Sequence, residues 1–243
     1  MKLGASLARR VMSIMLGGIL ALLNAPGAAA EETSVLDKAL AEIQYQVTAI
    51  EHQPGDKVKA YARLVEKADA LVQAYPKRAE PLVWKGIALL LQTKYAGLKA
   101  LPNVFQARRL LEASLTLDPK ANDGAAYLTL AMLYYQVPRW PLGFRSDQQA
   151  EMYFAKALEV ASHLDSHYRY GEYLLAKKRL PQARAELQLA LAFPERAGQP
   201  ADPIKKKDIR KLLDRIGHAA RQAAAAPPET VFGASVQPAF SKP

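Results

Sequence analysis

Cysteine is missing from all 243 residues. Its absence excludes disulfides, thiolate metal sites, a lipid-modified N-terminal cysteine and thiol catalysis. Histidine is scarce, and His52, His163, His167 and His218 are scattered along the chain. The sequence also lacks a phosphate-cradling glycine loop, a nucleophile elbow and an HExxH pair. The apolar stretch Val11 to Leu23 falls short of the roughly 20 residues that a membrane span needs. Together these absences point away from an enzyme.

Half of the residues are hydrophobic, so the chain can build a sizeable core. The N-terminus reads as a secretory signal over residues 1–30. Lys2, Arg9 and Arg10 precede the apolar stretch, and Ala28, Ala29 and Ala30 supply the small residues of a cleavage site before Glu31. Arg9-Arg10 followed by Val11-Met12 favours ordinary secretion over a twin-arginine route. The expected location is therefore the periplasm. The alternative is an inner-membrane protein held by the uncleaved segment. Removing residues 1–30 takes three positive charges, leaving a net charge of about +7 from +10. A basic exported surface suits acidic partners or anionic envelope material better than nucleic acid.

The organising feature is an echo at 43 residues. Shifting Trp84, Ile87, Ala88 and Leu91 by that interval lands on Tyr127, Leu130, Ala131 and Tyr134. The same shift takes Ala107, Leu111 and Ser114 to Ala150, Phe154 and Ala157. A large residue, an apolar-small pair, a second large residue and then Ala-x3-large-x2-small is the helix-pair pattern of the tetratricopeptide repeat. Such a pair cannot bury its apolar face alone, so it must stack on neighbours and leave a groove.

Helical spacing then divides the chain into four pairs over residues 31–220. The first is degenerate: Val35 to Ile50, a break at Pro54-Gly55-Asp56, then Tyr61 to Val72. The second starts at Pro81 and ends at Asp118-Pro119. The third follows Asn122-Asp123, which read as N-caps, and ends near Ser162. The fourth uses Tyr170, Gly171 and Leu174, then Ala183, Leu187 and Ala190. Ile204 to Ala219 reads as a basic capping helix with Ile209, Leu212, Leu213 and Ile216 on its apolar side. The Ala/Pro-rich residues 221–243 lack periodicity and read as a disordered tail. The fold class expected is all-α, a tetratricopeptide-like helical-hairpin solenoid with a C-terminal capping helix.

The fourth pair spaces His167 from Ala183 by 16 residues, whereas the second and third each use 23. The seven extra residues lie around Tyr95 to Phe105 and in the run Val137 to Asp147. Pro138, Pro141 and Gly143 force a loop in the latter. Trp140 and Phe144, flanked by Arg139 and Arg145, form an anchor set if exposed. The alternative is that both rings fold back to plug the helix pair. In the groove, the first helices present Lys85 and Gln92, then Leu128, Met132 and Tyr135, then Tyr168 and Glu172. This aromatic and polar mixture suits a peptide or an organic ligand with a polar head, or is a solvated face. His163 and His167 are four apart, but Leu164-Asp165-Ser166 reads as a turn, so no metal is expected. Lys205 to Lys207 reads as a solvated helix face, with contact to an anionic envelope polymer as the alternative.

Tyr127 to Ala131, Tyr134 to Phe144 with its Trp-Pro-x-Gly-Phe run, and His167 to Leu175 resemble exported bacterial tetratricopeptide-repeat proteins related to the T component of TRAP transport systems. The resemblance spans roughly residues 80–215 and includes the basic terminal helix after Ala201-Asp202. It implies a periplasmic helical-repeat protein, trimeric in some members, that associates with a substrate-binding component and holds a hydrophobic ligand. No cofactor is expected. The function expected is a non-catalytic adaptor that binds a partner protein through its groove and insertion loops. The alternatives are a binder of a small hydrophobic or organic-acid ligand in the groove and a basic envelope scaffold.

Overall fold

The computed structural model describes residues 26–139, 141–196 and 201–225. Small residues at fixed intervals let helices approach, and the chain obeys that pattern in nine helices among the described residues. These are α1 (Pro26–His52), α2 (Lys57–Ala74), α3 (Glu80–Ala96), α4 (Leu101–Leu117) and α5 (Ala121–Gln136). They continue as α6 (Asp147–Val160), α7 (Leu164–Ala176), α8 (Leu180–Ala192) and α9 (Ala201–Ala225). Consecutive helices pack side by side from α1 through α9, and α1, α3, α5 and α7 also touch one another in series. That is an all-α helical-hairpin solenoid whose odd-numbered helices form one continuous wall. Among the described residues, no helix is long and apolar enough to cross a membrane. Of the expected signal, residues 1–25 lie outside the described residues, while α1 already includes Pro26 to Ala30.

The repeat positions are the core. Ala107, Ala150 and Ala183 have no exposed surface, nor do Leu111, Phe154 and Leu187. Ser114, Ala157 and Ala190 are likewise buried. The core is a chain of three clusters, one per junction between neighbouring pairs. Even the degenerate first pair joins in, through Ile43, Tyr61, Leu64 and Ala68. Gly171 marks the tightest crossing. A Cβ there would meet the Leu187 side chain at 2.8 Å, so only glycine lets α7 lie this close to α8.

Two helix ends differ from the sequence reading. Asn122 and Asp123 are not N-caps. With φ of 49° and 55°, they and Gly124 form three consecutive left-handed residues at the start of α5. The inserted residues of the second pair form no loop either. They lengthen α3 to Ala96, make a 3₁₀ turn at Gly97–Ala100 and add the first turn of α4. Pro102 fits because a first-turn residue needs no amide hydrogen. The capping helix is also longer than its stripe suggests, running to Ala225 and so into the segment read as tail. Residues 226–243 lie outside the described residues.

Candidate functional site

Two cavities lie along the wall of odd-numbered helices. The first, about 450 Å³, is apolar and lies between the C-terminal halves of α3 and α5. Leu90, Leu101, Val104, Met132, Leu133 and Val137 line it, with Thr93 and Thr129 adding hydroxyls. The second, about 500 Å³, is polar and lies at the other end of the same helices. Gln44 of α1, Trp84 and Ile87 of α3, and Leu128 and Thr129 of α5 contribute to it. Asn122, Asp123, His163, Asp165, Arg169 and Arg196 complete its wall. Thr129 borders both cavities, which lie end to end along α3 and α5. Both volumes fall in the range of small-molecule sites.

The polar end is held by ion pairs. The Arg196 guanidinium donates to Asp165 at 2.7 Å and to Asp202 at 2.7 Å. Lys205 adds a 2.5 Å contact to Asp165. Burial opposes charge on Asp165, but Lys205 and Arg196 outweigh it and hold the carboxyl below its ordinary value. Arg169 donates one nitrogen to Glu172 at 2.7 Å. His163 caps α7, its Nδ1 accepting the Ser166 amide hydrogen at 3.2 Å. That bond leaves the ring proton of the neutral imidazole on Nε2.

Of the groove positions expected from the sequence, Met132 lines the apolar cavity. Lys85 turns toward α2 and pairs with Asp69. Gln92 accepts a hydrogen bond from Asn103 at 3.0 Å, joining α3 to α4. Tyr135 packs edge-on against Tyr173, at 5.1 Å between centroids, with the Arg145 guanidinium 5.3 Å from its ring. Tyr168 is buried in the core rather than turned outward. Glu172 is the acceptor for Arg169. Leu128, its neighbour on the expected face, does line the polar cavity. The residues missed include Thr129 and Arg169, each one position beyond a chosen residue, the turn Asn122-Asp123, and Arg196. The i,i+4 step from Asp165 to Arg169 on α7 was the available signal.

The insertion loop folds back through Phe144. Its ring meets Phe105 at 5.4 Å and Tyr134 at 5.1 Å, beneath the Arg108 guanidinium at 4.7 Å. Arg139 is exposed, Arg145 lies 3.8 Å from Asp147, and Trp140 lies outside the described residues. The loop is closed by Arg145 N–H to Pro138 C=O at 3.1 Å and Ser146 N–H to Tyr134 C=O at 3.0 Å. A Cβ at Gly143 would overlap the Pro138 carbonyl oxygen. Gly143→Ala is therefore expected to cost about 1–3 kcal/mol and to free Phe144. Limited proteolysis should cut the variant between 138 and 146 well before the parent; equal cutting rates would refute the closed loop.

His167 is buried, between Ser162 at 2.8 Å and Glu186 at 2.7 Å, and stacks on Phe193. The order of contacts is that of a nucleophile, base and orienting acid. Neither groove cavity is lined by these three residues, and His167 occupies the repeat position of Trp84 and Tyr127. The chain of bonds ties α7 to α8. His163 caps its helix while His167 points into the core, so the pair does not converge. Among the described residues, no group of three or more His, Cys, Asp or Glu side chains gathers as a metal site. No protein-family model matches the chain, and no curated protein matches it.

Proposed function

We propose that the protein is a non-catalytic periplasmic adaptor that receives an extended segment of a partner protein in its concave groove. The observation that carries this is the end-to-end placement of an apolar and a polar cavity along α3 and α5, with Thr129 lining both. Apolar pockets beside a polar stretch suit an extended peptide, whose alternate side chains enter the pockets. The resemblance to the TRAP T component makes a periplasmic substrate-binding component the first partner to try. Phe144 is spent inside the molecule, so the groove and not the insertion loop carries the proposal.

A photo-crosslinking residue at Met132, in the groove, should capture that component in the periplasm. The same residue at Leu189, exposed on α8, should not. With the crosslinker kept at Met132, Thr129→Lys in the same groove should abolish capture with the fold intact. Equal capture from both positions, or capture that survives Thr129→Lys, would refute the adaptor reading.

A second reading has its own support. Both cavities have the size of small-ligand sites, and the Asn122 amide nitrogen in the polar one is buried without a hydrogen-bond partner. On this reading the groove holds a small organic ligand. Native mass spectrometry of protein taken from the periplasm should then show a retained small molecule.

A further inference from the structure

We infer that the polar cavity is a recognition site for a free α-amino acid with an apolar side chain. This rests on the small-ligand reading of the groove and names the ligand class. Three observations carry it.

The first is strain beside an unsatisfied donor. Asn122 and Asp123 both hold left-handed backbone, at φ 49° and 55°. A side chain makes that conformation unfavourable, and glycine would take it freely. Strained residues of this kind cluster at ligand sites because the surrounding structure holds them there. Here the turn delivers Asn122 to the cavity wall, where its Nδ2 is buried with no hydrogen-bond partner. A buried donor is costly unless something accepts its hydrogen. Among the described residues no partner holds that amide, so it can turn outward into the cavity that Asn122 lines, about 500 Å³, and meet an acceptor there.

The second is charge of both signs on one wall. Among the described residues Asp123 has no ion-pair partner, and it lies exposed at the rim. Arg169, from α7, is two-fifths exposed, 41 %, and gives only one nitrogen to Glu172. Its remaining N–H groups, the Asn122 amide and the His163 Nε2–H are donors for a carboxylate. A phosphate or another multiply charged anion would face Asp123 and Asp165. A simple amine would face Arg169 and Arg196. A zwitterion meets both demands, its carboxylate on the donors and its ammonium on Asp123.

The third is the apolar side of the same cavity. Trp84 and Ile87 of α3 and Leu128 of α5 line it, and Thr129 borders both it and the apolar cavity. A branched or aromatic side chain has both a surface and room.

The test is isothermal titration of the full exported protein with L-leucine and L-phenylalanine. Phenethylamine, 3-phenylpropionate and N-acetyl-L-phenylalanine serve as probes lacking one charge. At least one amino acid should bind, with each probe about a hundredfold weaker, because each leaves a polar group of the site unpaired. Asp123→Asn keeps a residue tolerant of left-handed backbone, so it should fold normally and bind at least about tenfold more weakly. Asn122→Gly removes both the strain and the donor. It should raise Tm and weaken binding at least about tenfold, opposite signs that a purely structural residue would not show. Failure of both amino acids to bind overturns the inference. So does N-acetyl-phenylalanine binding as tightly as the free amino acid, since that marks recognition of a peptide's C-terminal carboxylate. A fall in Tm for Asn122→Gly overturns it too. A different retained molecule in native mass spectrometry overturns the amino-acid assignment while leaving the small-ligand reading intact. Capture of a partner through Met132 is independent of every one of these outcomes.

Discussion

Phe154→Ala is expected to cost about 3–5 kcal/mol of unfolding free energy. Phe154 has no exposed surface and stands on α6 at the junction between the third and fourth helix pairs. Its ring lies 5.1 Å from Tyr170 and 5.1 Å from Tyr173, both on α7. Truncation removes a fully buried ring that joins α6 to α7, and the small residues around it, Ala131, Ala150 and Ala183, cannot expand to fill the space. In a solenoid, each unit is stabilised by its nearest neighbours. The damage should therefore divide the molecule rather than weaken it evenly. Denaturant melts should show two transitions, and hydrogen exchange should accelerate across α7 to α9 while α2 to α4 stay protected. Phe154→Leu, which keeps most of the volume, should cost only about 1 kcal/mol. A loss below that for the alanine variant, or uniform acceleration along the chain, would refute the junction role.

The repeat core was legible because its spacing is enforced by contact. Two helices that pack closely tolerate only small residues at the crossing, and Ala107, Ala150 and Ala183 mark the crossing in the second, third and fourth pairs. The groove was less legible for a geometric reason. One residue along a helix turns the side chain by about 100°. Choosing Tyr168 instead of Arg169 therefore moved the expectation from the cavity into the core. Lys85 failed differently. Its partner Asp69 is set only when α2 folds against α3, and no periodicity within α3 records that. The insertions were correctly located, but composition could not separate them. Pro102 starts a helix, whereas Pro138 and Gly143 close a loop through a backbone approach that side-chain patterns do not encode. Arg196 was missed because it sits in a link between helices. Its two acidic partners lie 31 residues before it and six after it.

Those partners make Arg196→Ala the second large effect. The Asp202 side chain is fully buried. Its carboxylate takes the Arg196 Nε–H at 2.9 Å, a second guanidinium bond at 2.7 Å and the Arg196 backbone N–H at 3.1 Å. Lys205 stands farther off at 3.5 Å. Removing the guanidinium leaves a buried charge with one amide and one distant ammonium. Breaking a buried pair from one side costs about 3–5 kcal/mol, because the remaining charge loses its compensation. Asp202 opens α9, and Arg196 also grips Asp165 at the start of α7. The cap should therefore detach first and expose Ile209 and Ile216 to solvent. A double-mutant cycle with Asp202→Asn separates the pair from its surroundings. A coupling within the range of exposed ion pairs, below about 1 kcal/mol, would refute the anchoring role. The pH dependence gives a second reading. Hydrogen bonds from Arg196 hold the Asp202 carboxyl down to about 2, from an ordinary 3.8. A depressed folded value means that folding favours the ionised form. The stabilisation is thus complete above the unfolded value and is lost as pH falls from about 4 toward 2. The parent protein should lose cap stability through that window. Arg196→Ala, already deprived of the interaction, should lose markedly less, and parallel acid curves for the two proteins would refute the link.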